Sequence, residues 1–396
     1  MLMSTEQLSS GVRKFEKRYA VFAFIVPFAI GGAFYSFGFR SPTIEYEAQV
    51  AQSLATSTKD VIPKLVVTHL PVPQDVKAIY MTSWVAGRKD LRLALVKLVD
   101  DTELNSIVID VKDYTGRISF EVDDPKIKEF GSPEKRISDI KEFIDELHKK
   151  NIYVIARISA FQDVYMSDKR PDLAVLRESD GAVWKDRKGI SWLDAGSKEV
   201  WEYLASVGDI AYGVGFDELN FDYIRFPSDG NMNDISYRFY KQDVFSKGEQ
   251  LRQFFAFLAS YFAGKGPVLS ADLFGMTTSN YDDLGIGQVL ENALPYFDYV
   301  APMVYPSHYP PNFMGFARPE EKPYEVVKYA LDRARDRTLA ASNTPSKIRP
   351  WLQDFDLGAI YTPELVRAQI NATYDAGLDS WMLWSASNHY TKEALK

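Results

Sequence analysis

Residues 215–227 read GFDELNFDYIRFP and combine three carboxylates with large apolar side chains. Side chains in a β-strand point alternately to its two faces, so residues two positions apart share a face. One face takes Glu218, Asn220 and Asp222, and the other takes Leu219, Phe221 and Tyr223. The stretch therefore predicts a strand whose polar face has Asp222 at its end, with Asp217 as an exception to the alternation.

Seven more apolar, β-rich runs surround this strand, and helical patterns lie between them. The eight runs span residues 77–82, 106–113, 152–159, 216–226, 268–275, 298–306, 347–355 and 380–387. This alternation predicts a (β/α)8 TIM barrel over residues 76–396. A doubly wound open sheet is the competing fold. It is disfavoured because there are eight strands and because no Gly-rich turn follows the first of them.

Helix boundaries in the sequence agree with this alternation. Ser197 or Gly196 is the candidate start of the helix after the third strand. Thr362 and Pro363 are typical of an N-cap followed by the first helical residue, and Gly377 is typical of a residue just past a helix end.

The composition excludes several classes of protein. The 396 residues carry a net charge of -8, which argues against nucleic acid as a partner. The chain contains 0 Cys, so disulfides and thiolate metal sites are excluded. It has 4 His, too scattered to predict a metal site. We expect neither a metal nor another cofactor.

The N-terminal region predicts a membrane anchor. Residues 19–39 are uncharged over a length of 21 residues, about enough to span a bilayer core. The basic residues before them favour a cytoplasmic N-terminus, although a cleaved signal peptide is an alternative. The predicted parts are a cytoplasmic tail at 1–18, a transmembrane helix at 19–39 and an extracytoplasmic linker at 40–75. The barrel at 76–396 would then lie outside the cell, attached to the membrane.

Active sites of (β/α)8 barrels gather at the C-terminal ends of the strands. Asp222 ends the fourth strand and Asp272 lies near the end of the fifth, so the two could form the acid pair that cleaves a glycosidic bond. The alternative for Asp222 is an internal ion pair with Arg157 or Arg225.

Other polar and aromatic side chains near the strand ends are candidates for substrate binding, since flat rings stack on sugars. These candidates are Trp84, Asp110, Lys112, Arg157, Glu218, Asn220, Arg225, Tyr305, His308, Trp351 and Trp384. Glu218 is expected deeper in the barrel than Asp222, which favours a structural role. The long connection at 160–198, with Trp184 and Trp192, and the proline-rich segment at 306–323 are candidate binding walls.

FDELNFDYIRFP resembles a segment of a known family, together with IVIDVKDYTG (107–116), YVIARI (153–158), APMVYPSHY (301–309) and IRPWLQDF (348–355). The family is the bacterial "putative glycosyl hydrolase" domain family, whose (β/α)8 barrels are distantly similar to α-amylase-type glycosidases. The resemblance implies a nucleophile at Asp222 and a general acid at the end of the fifth strand. That acid is normally Glu, and here the position holds Asp272. The amylase Arg and His that flank the nucleophile are replaced by Asn220 and Phe226.

Two functions follow as hypotheses. The first is a membrane-anchored, extracytoplasmic glycoside hydrolase that cleaves a cell-wall or extracellular polysaccharide with Asp222 and Asp272. The second is a barrel that binds glycan at the cell surface without cleaving it, motivated by the Asp at the expected Glu position.

Overall fold

The computed structural model describes residues 66–396, which form a closed barrel of eight parallel strands in sequential order. The strands are β1 Lys77–Met81, β2 Ser106–Lys112, β3 Tyr153–Ser159, β4 Glu218–Asp222, β5 Val268–Phe274, β6 Tyr299–Met303, β7 Trp351–Gln353 and β8 Trp381–Trp384. The predicted barrel and its eight strands are confirmed. Each of the eight strands is shorter than its predicted run.

Helices surround the barrel. They are α1 Ser83–Ala86, α2 Lys89–Asp100, α3 Pro125–Phe130, α4 Ile140–His148, α5 Val164–Lys169, α6 Lys198–Val214, α7 Lys247–Phe262, α8 Leu290–Ala293, α9 Pro323–Ala340 and α10 Pro363–Asp375. Ser197 caps α6 by accepting a hydrogen bond from the Val200 amide, and Thr362 occupies the N-cap of α10 with Pro363 at its start. Both predicted helix starts are confirmed.

Two apolar cores stabilise the barrel. The larger lies between the sheet and the helices and includes Leu219 and Phe221 of β4. The smaller lies inside the barrel, where Val108, Tyr153 and Ile155 pack together. Burial of apolar surface stabilises by roughly 25 cal/mol per Å², so β2 and β3, which have residues in both cores, contribute on both faces.

Residues 66–75, within the predicted linker, contact the N-terminal end of the barrel. Leu70 and Val72 pack against the interior core, and the Leu70 amide donates to Asp217 Oδ1 at 2.7 Å. The other oxygen of Asp217 accepts from the Val154 amide at 2.8 Å and contacts His148 Nε2 at 3.0 Å. These contacts explain why Asp217 departs from the alternation of its strand.

The predicted anchor at 19–39 lies outside the described residues. Among residues 66–396, no helix has the length and apolar character needed to cross a membrane.

Candidate active site

Strand β4 presents its polar residues to the barrel interior, as predicted. Leu219 and Phe221 are fully buried against the helices, and Asn220 and Asp222 face inward between β3 and β5. Tyr223 was expected to face the helices, but this prediction is wrong. The strand ends at Asp222, and Tyr223 takes a φ of 50°, which turns its ring into the wall of the cavity described below.

Asp222 is held by the guanidinium of Arg157. Nε of Arg157 donates to Asp222 Oδ2 at 3.1 Å, and its Nη2 contacts the same oxygen. The Tyr223 amide donates to Asp222 Oδ1 at 2.5 Å. The internal ion pair considered for Asp222 therefore exists with Arg157. It fixes the orientation of a carboxylate that still borders the cavity.

Arg157 also links Asp222 to a second carboxylate. Its Nη1 donates to Asp110 Oδ1 at 2.7 Å, and the Tyr80 hydroxyl donates to Asp110 Oδ2 at 2.5 Å. Burial works against the charge of Arg157, but Asp222 and Asp110 raise its pKa well above the ordinary value. The guanidinium is therefore a permanent cation between two buried acids.

Asp272 lies beside Asp222. Phe221 of β4 pairs with Ala271 of β5, so the next residues, Asp222 and Asp272, are neighbours on strands about 4.8 Å apart. Both side chains border the same cavity. The structure thus brings together the two residues predicted as the acid pair.

The surroundings of Asp272 favour its protonated form. The side chain is 1% exposed. Its Oδ1 accepts from Asn220 Nδ2 at 2.9 Å and Trp351 Nε1 at 2.8 Å, and these hydrogen bonds lower its pKa by less than burial raises it. Burial, followed by the negative charge of Asp222, raises the pKa of Asp272 to about 8. An acid that keeps its proton at neutral pH, next to a carboxylate held by arginine, is the pairing that acid catalysis needs.

A buried chain of hydrogen bonds supports this pair from below. Asn220 Nδ2 also donates to Ser270 Oγ at 3.0 Å, and Ser270 Oγ donates to Glu218 Oε1 at 2.5 Å. Glu218 pairs with Arg349 Nη1 at 3.0 Å, and neither side chain is exposed. Asn220 thus ties Asp272 to an ion pair deeper in the barrel.

The cavity at the C-terminal ends of the strands has a volume of about 670 Å³, enough for a sugar-sized ligand. Eight of the thirteen predicted site residues border it: Arg157, Asp222, Arg225, Asp272, Tyr305, His308, Trp351 and Trp384. Residues that the sequence did not single out individually complete the wall: Gln162, Asp186, Lys188, Tyr223, Ser228, Asp229, Phe274, Gly275, Met276, Met303 and Tyr309.

Five predicted binding residues do not border the cavity. Asp110 and Asn220 lie behind it, where Asp110 accepts from Arg157 and Asn220 donates to Asp272. Glu218 lies deeper and forms an ion pair with Arg349. These three are inward-facing, as their strand positions predicted, but each is already bonded to protein.

Lys112 and Trp84 face away from the cavity, so binding roles for them are not supported. A shift of strand register between Asp110 and Lys112 turns Lys112 out of the interior. Its ammonium, which is not exposed, lies 2.9 Å from Asp163 Oδ2 and donates to the Ser159 carbonyl at 2.6 Å. Trp84 lies on α1 with 59% of its surface exposed, and its ring covers the Arg136 guanidinium at 4.4 Å.

The connection at 160–198 forms part of the cavity wall, but not through its tryptophans. Gln162, Asp186 and Lys188 border the cavity, whereas Trp184 and Trp192 are buried. Trp192 Nε1 donates to Asp186 Oδ2 at 3.2 Å, so this ring supports the wall. The length of the connection correctly indicated a cavity wall, but its tryptophans wrongly suggested which side chains face the cavity.

The raised pKa of Asp272 predicts a pH dependence of stability. Its ordinary value is 3.8, so the folded protein binds this proton more tightly than the unfolded chain. The resulting stabilisation is complete below about pH 4 and is lost as the pH rises through about 8. We expect the free energy of unfolding of the wild type to fall relative to that of Asp272→Asn over this range, in denaturant titrations. If the free energies of unfolding of the two proteins change with pH in parallel, the raised pKa of Asp272 is contradicted.

Comparison with known proteins identifies the family and the fold of this chain. Residues 78–390 match the family described as "Putative glycosyl hydrolase domain". No curated protein matches the chain. The PgaB (BpsB) glycoside hydrolase domain from Bordetella bronchiseptica superposes with a TM-score of 0.59 at 14% identity, covering 81% of this chain and 98% of that one. This likeness shows a shared fold.

Two further solved structures are similar to the chain. A hypothetical protein from Ruminiclostridium thermocellum is 32% identical over 52% of this chain and 98% of its own, with a TM-score of 0.45. The α-galactosidase TtGalA from Thermus thermophilus is 15% identical over 83% of this chain and 61% of its own, with a TM-score of 0.48. The family match covers most of the chain, from β1 past β8. This protein therefore belongs to the glycosyl hydrolase domain family that its sequence resembles, and it is a (β/α)8 barrel of glycoside hydrolase type.

Proposed function

We propose that this protein is a membrane-anchored glycoside hydrolase that cleaves a cell-wall or extracellular polysaccharide outside the cell. The observation that carries the chemistry is the adjacent pair of Asp222 and Asp272 at one cavity, with Asp272 made a proton donor by burial and by its neighbour. The uncharged run at 19–39 supports the anchor.

The two acids would divide the reaction between them. Asp272 donates its proton to the glycosidic oxygen as the bond to the anomeric carbon breaks, so the leaving sugar departs as an alcohol. In one route, Asp222 attacks the anomeric carbon itself. In the other, Asp222 takes a proton from a water molecule whose oxygen attacks that carbon. The anomeric form of the first product, observed by NMR, distinguishes these two routes.

Arg157 would keep Asp222 in place during this reaction. Its hydrogen bonds hold Oδ2, so the carboxylate cannot rotate away from the cavity. The guanidinium is in turn held by Asp110. An oriented nucleophile or base lowers the entropic cost of reaching the transition state.

Aromatic side chains offer a surface for the sugar. Tyr305, Trp351 and Trp384 all border the cavity, and the rings of Trp351 and Trp384 meet edge to face at 5.5 Å. Trp384 also stacks on Tyr80 at 4.0 Å, which holds its plane. Rigid rings bury the apolar faces of sugars at little cost in conformational entropy.

The Asp272→Asn variant tests the proton donor. We expect its hydrolysis of polysaccharide to fall by about 10²–10⁴-fold, the usual contribution of a general acid. A nitrophenyl glycoside of the same sugar needs little protonation of its leaving group, so its hydrolysis should fall far less. The measurement is the release of reducing ends and of nitrophenol, after a screen of wall and extracellular polysaccharides identifies a substrate. Equal losses on both substrates would remove Asp272 as the general acid.

The second candidate is a barrel that binds glycan without cleaving it. It is favoured by the Asp at the position where the resemblance to α-amylase-type barrels implies Glu, and by the two hydrogen bonds that Asp272 Oδ1 already accepts. Calorimetry would then show glycan binding, and long incubation would release no reducing ends. Any release of sugar that depends on Asp222 would exclude this candidate.

A further inference from the structure

Arg225 is a nearly buried cation of the cavity wall that forms no ion pair with any part of the chain from residue 66 to 396. The side chain follows β4, borders the cavity and is 8% exposed. Its Nη1 donates to the Phe226 carbonyl at 3.0 Å and to Ser228 Oγ at 3.2 Å. In the described residues, Nε and Nη2 have no hydrogen-bond partner, although burial of an unpaired charge is costly.

The plane of this guanidinium is fixed by aromatic rings. Its central carbon lies 4.7 Å from the centre of the Trp192 ring and 4.7 Å from that of Phe274. Rings at these distances restrict rotation and add cation–π stabilisation. The free edge formed by Nε and Nη2 is one that binds a carboxylate through two parallel hydrogen bonds.

Arg225 contrasts with Arg157 across the same cavity. The charge of Arg157 is matched by Asp222 and Asp110, which raise its pKa. Burial lowers the pKa of Arg225, and the nearby charges of Tyr223, Asp222, Asp229 and Asp186 raise it by less. The charge of Arg225 is therefore only partly compensated by the described residues.

Asp186, on the wall segment at 186–190, raises the pKa of Arg225 by its charge but makes no ion pair with it. Asp186 Oδ1 accepts from the amides of Lys188 and Ile190, both at 2.9 Å, and its Oδ2 accepts from Trp192 at 3.2 Å. These bonds hold Asp186 to its own turn. Asp229 also borders the cavity, but it makes no ion pair with Arg225 in the described structure.

A second cation lies on the same wall. Lys188 is exposed at the tip of the turn, borders the cavity and makes no ion pair within residues 66–396. It lies near His308, since desolvation and then the Lys188 charge lower the pKa of that ring. The cavity wall thus holds two cations, Arg225 and Lys188, that make no ion pair within residues 66–396.

We propose that Arg225, assisted by Lys188, binds a carboxylate of the sugar chain, so that the substrate is an acidic glycan. This inference rests on the proposed function for the location of the substrate. The carboxylate could belong to a uronic acid or to the lactyl ether of a muramic acid, which share this chemistry.

Small sugars test the carboxylate site directly, without knowledge of the linkage. Glucuronate, galacturonate and N-acetylmuramate would be titrated against glucose, galactose and N-acetylglucosamine by saturation-transfer NMR on the wild type. We expect at least one acidic sugar to bind about tenfold more tightly than its neutral counterpart, as a charge-assisted pair of hydrogen bonds implies. Preference for the uronates or for N-acetylmuramate identifies the source of the carboxylate. Equal binding of acidic and neutral sugars, or no binding at all, would overturn the proposal.

Variants connect this preference to the two cations. Arg225→Gln should abolish the preference and Arg225→Lys should keep part of it, because Lys offers charge without the planar fork. Lys188→Gln, on an exposed side chain that the fold does not need, should reduce the preference severalfold. Arg177→Gln is the matched control, since Arg177 pairs with Asp180 on the exposed side of the same connection. A preference that survives in both Arg225→Gln and Lys188→Gln would refute the assignment.

Polysaccharides separate this inference from the hydrolase proposal. An acidic polymer and the same polymer with its carboxyl groups reduced to alcohols share their linkages, so only the charge differs. If the protein hydrolyses neutral polymers and ignores the acidic ones, the carboxylate site is wrong and the hydrolase stands. If acidic sugars bind through Arg225 but no polymer is cleaved, the carboxylate site stands and the hydrolase fails.

Discussion

Asp222→Asn is expected to abolish hydrolysis of both polysaccharide and nitrophenyl glycoside, with a loss on the order of 10³-fold or more. The amide cannot supply the electrons that the anomeric carbon needs, and a better leaving group does not replace them. This pattern differs from that of Asp272→Asn, which should spare the nitrophenyl substrate. The measurement is the rate of reducing-end and nitrophenol release by the purified variant.

The fold of Asp222→Asn should survive, because Arg157 keeps its contact with Asp110 and the amide oxygen can still accept a hydrogen bond. We expect a loss of about 1–3 kcal/mol in the free energy of unfolding. Asp243→Asn is the control, since Asp243 is exposed and does not border the cavity. Turnover like that of the wild type in Asp222→Asn would exclude Asp222 from the chemistry.

Arg349→Met is expected to produce the largest loss of stability, about 3–5 kcal/mol. Arg349 and Glu218 are both unexposed, and three contacts of 3.0–3.2 Å join them. Within residues 66–396, the substitution leaves the Glu218 carboxylate buried with hydrogen bonds from only Ser270 and Tyr153. Denaturant unfolding of the purified variant measures the effect.

The double variant Glu218→Gln/Arg349→Met shows whether the stability lost in Arg349→Met comes from the unpaired charge of Glu218 or from lost packing. Removal of both charges should make it at least about 2 kcal/mol more stable than Arg349→Met alone. If the double variant is no more stable, the loss comes from the stacking of Arg349 on Tyr299, at 3.8 Å, and the ion pair contributes little.

Much of the barrel could be predicted because its signals are periodic. The alternation of β4 placed Leu219 and Phe221 toward the helices and Asn220 and Asp222 toward the interior, and the structure confirms it. The pairing of β4 with β5 follows from their order in the barrel, so the neighbourhood of Asp222 and Asp272 was also accessible from the sequence.

Departures from regular geometry explain where prediction failed. The register shift after Asp110 reverses the face of Lys112, and the positive φ of Tyr223 reverses the face of its ring. A single sequence contains no periodic signal for either event. Trp84 shows a different limit, because a tryptophan at a strand end can equally cover a surface arginine.

Long-range pairing was also invisible in the sequence. Glu218 and Arg349 are 131 positions apart in the sequence. The closure of the sheet into a barrel brings them into contact. That Arg225 makes no ion pair within residues 66–396 is recognisable only from the structure.

The contacts of residues 66–75 change where a recombinant form of the barrel should begin. The family match starts at residue 78, yet the Leu70 amide satisfies Asp217, and Leu70 and Val72 shield the floor of the interior core. A shortened chain starting at residue 76 would expose apolar surface and leave a buried carboxylate lacking one of its donors. The unit that folds independently therefore includes the segment that precedes the first strand.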